Sequence, residues 1–371
     1  MAKYDYLIVG AGLSGAVFAQ HMTANGKRCL VIDRRRHIGG NCYTHEVEGV
    51  MVHKYGAHIF RTNDRVIWDY VRRFAEFNNF VNSPVASYCG EMYNLPFNMN
   101  TFRQLWGIAT PIQAQRMIEM QRIPCDHPDN LEEYALSVVG RDVYEKLIQK
   151  YTEKQWGRSC RDLPASTMRR IPIRYTYDNN YYDALYQGVP VDGYTDMIDN
   201  MLIGSDVKLD IDYKLSKEYL NELADTIVYT GAIDELFSYA RGVLQYRSLR
   251  FEHEVIDQEN VQGVAVVNHT GDNVPYTRTI EHKHFVFGKQ KKSVLTTEYP
   301  ETWVLGKERY YPVNDMLNQY VYQQYLDLMP DGMVNGKRIL LLGRLAEYKY
   351  YDMQDAIHSA MMLADRELSK G

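Results

Sequence analysis

Near the start of this 371-residue chain, Asp5-Tyr6-Leu7-Ile8-Val9 runs directly into Gly10-Ala11-Gly12-Leu13-Ser14-Gly15. No other feature limits the possible folds as much. The apolar run reads as a buried strand, the glycines allow a tight turn, and a helix opening at that turn points free N–H groups outward. Arg28-Cys29-Leu30-Val31-Ile32 is a second buried strand, closed by Asp33, whose carboxylate can accept hydrogen bonds from a ribose hydroxyl. Strand, glycine turn, helix, strand and acid together predict a dinucleotide site built on Gly10, Gly12, Leu13, Ser14, Gly15 and Asp33.

Directly after Asp33 comes Arg34-Arg35-Arg36-His37-Ile38-Gly39-Gly40-Asn41, where paired glycines permit a second close approach of backbone to ligand. This stretch resembles the FAD-binding signature of glutathione-reductase-like flavoproteins. The resemblance implies FAD as cofactor and adds Arg34, Gly40 and Asn41 to its contacts. At least one of the three arginines is expected to be a solvated charge.

The length exceeds what one hydrophobic core usually holds, so two or three domains are expected. With 24% charged residues and a net charge of -5, the chain lacks the basic excess of a nucleic-acid binder. Cys29, Cys42, Cys89, Cys125 and Cys160 are scattered and show no C-x-x-C spacing, which supports neither a disulfide framework nor a metal site. A strand begins within a few residues of Met1 and no apolar run approaches 18 residues. The expectation is a cytoplasmic protein with no membrane insertion.

The fold class expected is α/β, an FAD-binding doubly wound (Rossmann-like) sheet interrupted by a helical domain and an antiparallel β-sheet domain. The first 60 residues supply too few strands, so the sheet is completed later by Val207 to Tyr213, Thr226 to Ala232 and Arg338 to Gly343, with a last helix from Asp352 to Leu368. The nucleotide domain is then discontinuous, spanning 1–65, 190–243 and 329–371. Helix-period stretches separated by Pro and Gly fill 66–155, and a connection with a mobile substrate loop covers 156–189. Strands at Tyr246 to Val255, Gly263 to Asn268 and Thr277 to Phe287 place the antiparallel domain at 244–328.

From Lys150 to Arg174 seven basic residues face only two acids, with Tyr151 and Trp156 among them and Tyr175, Tyr177, Tyr181, Tyr182 and Tyr186 following. Arginine forks fit diphosphate oxygens, tyrosine hydroxyls add neutral donors, and aromatic faces stack on a base. The composition suggests a nucleoside-diphosphate substrate. Pro164 and Pro172 bracket Arg169-Arg170 in what reads as a lid.

Beyond this point the chain resembles the bacterial UDP-galactopyranose mutases over nearly its whole length. The motifs that carry the likeness include Tyr55-Gly56-Ala57-His58-Ile59-Phe60, Asn94-Leu95-Pro96-Phe97-Asn98, Tyr151-Thr152-Glu153-Lys154-Gln155-Trp156-Gly157, Asp178-Asn179-Asn180-Tyr181 and Gly343-Arg344-Leu345-Ala346-Glu347-Tyr348. The resemblance implies a redox-neutral ring contraction of UDP-galactose to its furanose form, with N5 of reduced FAD as nucleophile at the anomeric carbon. It also implies a UDP-sugar substrate, an unidentified reductant and a homodimer.

Residue by residue, the resemblance gives Arg170 and Arg278 the role of stabilising the departing diphosphate. Tyr181, Tyr311 and Tyr350 lie around the phosphates, Trp156 at the loop edge, and Tyr151 and Asn82 near uridine or sugar. Arg169, Arg247 and Asn268 line the substrate side, His58 the flavin, and Gly343, Arg344 and Asp352 the cofactor side. Two departures stand out. Arg61 occupies a position usually held by histidine, which suggests that a 2-acetamido sugar is also accepted, and Leu147-Ile148 replaces an aromatic pair near the uracil. Competing readings are a redox flavoenzyme of the amine-oxidase-like superfamily, a non-catalytic binding protein on the same fold, and a nicotinamide dehydrogenase.

Overall fold

Leu7 and Ile8 have no exposed surface, and all four residues of the strand Cys29–Ile32 are buried. Such continuous burial fits a parallel sheet covered on both faces, which has no solvent side for polar residues to alternate onto. In the computed structural model, which describes residues 3–168 and 173–370, the sheet runs Met333–Val334, Lys337–Leu341, Ala224–Tyr229, Tyr4–Val9, Cys29–Ile32, Asp206–Lys208. All neighbours are parallel except the first pair. The chain steps outward from Tyr4–Val9 in one direction, then returns to its other side with Ala224–Tyr229. A ligand crevice opens where the order reverses, at the carboxyl ends of these two strands.

The helices Leu13–Ala24, Gly193–Leu202 and Met353–Leu368 cover one face, packing Ala16, Phe18, Met197, Ile198, Ile357 and Ala360 into a single core. Tyr213, Leu220, Leu236 and Tyr325 cover the other. Asp352 caps the last helix through a capping box with Asp355. At the far end of that helix, Arg338 donates to both oxygens of Glu367, each at 2.6 Å, tying the helix to the sheet.

Two of the three expected later strands are seen with shifted ends. The third is shorter: pairing stops at Lys208 because Asp210 takes φ +60° and turns its amide onto the Arg35 carbonyl. This bend folds residues 211–214 back to wall the crevice.

The second sheet is seven-stranded: Tyr311–Pro312, Tyr246–Ile256, Ser293–Thr302, Arg278–Glu281, Val266–His269, Val85–Tyr88, Glu91–Asn94. The segment 66–155 therefore carries strands as well as helices, and Val85–Tyr88 joins Val266–His269 in parallel. The strand expected from Thr277 to Phe287 ends at Glu281, because His282 and Phe285 turn into the core as a short 3-10 helix. The helices between Met99 and Trp156 enclose a third core of Phe97, Phe102, Ile118, Leu131 and Val139. Leu147 and Ile148 are buried in it, so these two side chains serve packing there.

The glycine turn leaves no spare room. Gly10 takes φ +117°, and a Cβ on Gly15 would stand 2.1 Å from the Gly10 carbonyl oxygen. Because the clash is with backbone, no rotamer relieves it. Gly15→Ala is expected to lower stability by about 1–3 kcal/mol, read by urea unfolding, and to reduce retained flavin, read by absorbance.

Candidate active site

The helix Leu13–Ala24 starts at Gly12, which has no side chain to cap it, and its first turn holds no acid. Its leading amides are unpaired donors at the positive end of the helix dipole, which suits a pyrophosphate. Across from it the Gly39-Gly40 turn comes so close that a Cβ on Gly40 would sit 3.0 Å from the Gly12 Cα. Backbone, not side chain, lines this part of the crevice.

The structure gathers every cofactor residue expected from the sequence around one cleft: Gly10, Gly12, Leu13, Ser14, Gly15, Asp33, Arg34, Gly40, Asn41, His58, Gly343, Arg344 and Asp352. Asp33 stabilises the turn by accepting from the amides of Ala11 (2.8 Å) and Arg35 (2.9 Å), and each oxygen keeps acceptor capacity for a ribose hydroxyl. Arg34 and Arg35 share Glu308 at 3.0 and 2.8 Å, whereas Arg36 pairs only with exposed Asp210 and is the solvated member of the three. Uncapped amides, glycine-lined walls and a ribose acceptor fit a flavin dinucleotide. Arg35, Glu235, Glu308 and Tyr182 also line the cleft, and the sequence reading missed their part in it. Arg35 was legible only as one of three adjacent arginines.

At the other end of the cleft stands His58. Its Nδ1 lies 2.8 Å from the Gly56 carbonyl oxygen, so Nδ1 carries the hydrogen and Nε2 is an acceptor. Burial pushes its pKa down to about 4, with Arg344 and Arg278 adding to the drop against the Gly56 hydrogen bond, so the ring is neutral at pH 7. Behind it His53 is buried, accepts from the His58 amide at 3.1 Å and is pushed by burial to about 3.

The substrate candidates form a second cluster next to this end. Arg278 donates from Nε to the Tyr151 hydroxyl at 2.9 Å and faces the buried Glu298 carboxylate at 3.7 Å. Asn268 is its partner across the neighbouring strand. Tyr311 stacks on Tyr350 with centroids 5.5 Å apart, and the Arg344 guanidinium lies 5.7 Å from the Tyr311 ring. Burial, with Tyr151 adding, holds the Tyr181 hydroxyl above its ordinary range, and Tyr181 donates its amide to the Asn82 carbonyl. The side-chain oxygens of Asn82 and Asn268 are buried without a hydrogen-bond partner among the described residues. Such buried acceptors are ordinarily satisfied by water or a ligand.

Other candidates are placed differently. Arg247 is spent on structure: its guanidinium donates to the Gln155 and Lys154 carbonyls at the end of the helix Lys150–Trp156 and to Thr302. Trp156 is the last residue of that helix and packs partly against the third core. Arg61 lines the cleft, donates to Asp352 at 2.6 Å and lies 4.5 Å over the Tyr182 ring. Arg169 and Arg170 lie outside the described residues.

Fold and cleft together define a dinucleotide-binding protein of the flavoprotein type with arginine and tyrosine side chains clustered beside the cleft. Residues 146–350 match the family model for UDP-galactopyranose mutase, and residues 8–74 match an NAD(P)-binding Rossmann-like domain. A probable UDP-galactopyranose mutase from Klebsiella pneumoniae is 37% identical over 100% of this chain and 96% of its own length. A dTDP-fucopyranose mutase from Escherichia coli is 34% identical over 96% of this chain and 97% of its own. A crystal structure of reduced UDP-galactopyranose mutase superposes with TM-score 0.74 at 15% identity, covering 100% of this chain and 95% of that one. Putrescine oxidase bound to putrescine gives TM-score 0.58 at 11% identity, covering 99% of each chain, a likeness of fold alone. The chain belongs to the UDP-galactopyranose mutase family; it is an isomerase, and its cofactor is FAD. No helix among the described residues is long and apolar enough to cross a membrane.

Because His53 and His58 have folded-state pKa values below the ordinary 6.5, the unfolded chain binds more protons as the medium is acidified. Their contribution to stability is whole above pH 6.5 and is lost as pH falls toward about 4 for His58 and about 3 for His53. Urea unfolding between pH 7 and 5 should show His53→Phe losing less stability than the wild type, by up to about 1.4 kcal/mol per pH unit.

Proposed function

We propose that the protein interconverts the pyranose and furanose forms of UDP-galactose, and of the 2-acetamido analogue. One observation supports this most: Arg278, hydrogen-bonded to Tyr151 and paired across the ladder with Asn268, acts electrostatically on His58 in the cofactor cleft, and the amide oxygens of Asn82 and Asn268 have no hydrogen-bond partner among the described residues. A diphosphate needs the first, and sugar hydroxyls would satisfy the other two.

Bound and reduced, FAD supplies N5 as the nucleophile for the anomeric carbon. The remaining work falls to side chains. Arg278, held by Tyr151 and Glu298, stabilises the charge that develops on the departing UDP. Arg170 and Arg169 add to that clamp, and the Tyr311–Tyr350 stack with Tyr181 holds the phosphates in place. His58, neutral and with Nε2 unprotonated, presents an acceptor without adding charge beside the cofactor. Arg61 spends one donor on Asp352 and has others left for an amide carbonyl on the sugar. A cellular reductant, a homodimer and a cytoplasmic location complete the reading.

The Escherichia coli relative favours a second reading, in which the substrate is a dTDP-linked 6-deoxy sugar. Anaerobic incubation of the dithionite-reduced holoenzyme with UDP-galactofuranose, its 2-acetamido analogue and dTDP-fucofuranose, followed by chromatography, separates the two. Conversion of both UDP-sugars is expected; preference for the dTDP sugar would favour the second reading, and no conversion would reject both. Arg278→Ala should lower kcat/KM by about 10²–10³-fold. Arg61→His should reduce activity on the 2-acetamido sugar relative to UDP-galactose, and an unchanged ratio would remove Arg61 from the account of specificity.

A further inference from the structure

Lys154 lies one helical turn beyond Tyr151 on the helix Lys150–Trp156. Its Nζ lies within hydrogen-bonding distance of four backbone carbonyl oxygens, those of His269 (2.8 Å), Gly271 (2.8 Å), Val274 (3.2 Å) and Tyr276 (3.0 Å), among which its three N–H donors are shared. They run from the last residue of the strand Val266–His269 through the turn that leads to the strand Arg278–Glu281. These strands carry Asn268 and Arg278, paired across the ladder. The turn is tied to a neighbouring strand, with the Thr270 amide donating to the Ser87 carbonyl at 2.8 Å.

An ordinary surface lysine keeps its ammonium in water. Here the ammonium is half-buried inside a ring of carbonyl dipoles, an arrangement that elsewhere replaces the hydration shell of a potassium ion. Burial pulls its pKa down to about 8 against Asp272, the acid in the same turn, so the cage still holds a cation at pH 7.

We propose that these four carbonyls form a monovalent-cation site whose built-in occupant is the Lys154 ammonium, and that the occupied site positions Asn268 and Arg278 against Tyr151. Lys154 is a positioning residue, acting through the turn. With the side chain's charge removed, the cage accepts ammonium or potassium from solution, whereas sodium is too small and tetramethylammonium too large for it.

The activity arm of the test rests on the mutase reading; the stability arm does not. Lys154→Met holoenzyme is assayed in reduced form in the chlorides of sodium, potassium, ammonium and tetramethylammonium, with FAD content matched by absorbance. The same samples are melted to give Tm. A loss of about 100-fold in kcat with little change in KM is expected in sodium chloride, because Arg278 and Asn268 are displaced together. Ammonium or potassium should restore roughly tenfold of it and raise Tm by at least about 2 °C, while leaving the wild type unaffected. Lys154→Arg, which keeps the charge, should retain more activity than Lys154→Met in sodium chloride. Equal behaviour of Lys154→Met in all four salts, or wild-type activity, would overturn the proposal, as would failure of both variants to fold in any of the salts. If the wild type converts no sugar nucleotide, the functional reading fails while the Tm response still decides the cation site.

Discussion

The uncapped start of the helix Leu13–Ala24 is the feature on which the rest of the site depends. Gly12 offers no side chain to satisfy the leading amides, so the fold leaves donors at the positive end of the helix dipole that favour an anion. Gly10 and Gly15 fix how closely that helix sits on its strand, and Gly40 brings a second backbone against the first. The same cleft is lined at its other end by His58, Tyr311 and Tyr350.

The two sheets divide the labour. The parallel sheet carries the glycine-lined crevice at its switch point, while the seven-stranded sheet and the helix Lys150–Trp156 carry Arg278 and Tyr151, which the proposed reading assigns to the substrate. Arg278, on the second sheet, meets Tyr151, on the helix, and the two are held by different devices. Arg247 donates to the helix's last carbonyls, whereas Lys154 joins the helix to the turn behind Arg278. Both cations donate to neutral carbonyls, with Asp272 near Lys154 as the one acid acting on either of them among the described residues.

Local features of the site were legible in the sequence. The glycine spacing, Asp33 and the Gly39-Gly40 pair each act over a few residues, and all the cofactor candidates line a single cleft. Pairings between distant segments were harder to read. Nothing in Val85–Tyr88 announces a parallel partner in Val266–His269, and nothing in Arg247 distinguishes a residue lining the substrate side from a helix cap. Lys154 was visible only as one of seven basic residues, because its partners are backbone carbonyls more than a hundred positions away, and carbonyls leave no compositional trace. The shortened strand at Asp206–Lys208 is a similar case, since it ends at an aspartate that takes a left-handed conformation to reach the Arg35 carbonyl.

The central claim is that diphosphate and cofactor meet at the Arg278 and His58 corner. A crystal structure of the FAD-loaded enzyme with UDP bound tests it most directly. The account predicts the UDP phosphates within hydrogen-bonding distance of the Arg278 guanidinium, the nucleoside toward Tyr151, and the sugar side open to the flavin ring beside His58. UDP seated in the Gly10–Gly15 turn, or bound without touching Arg278, would contradict it.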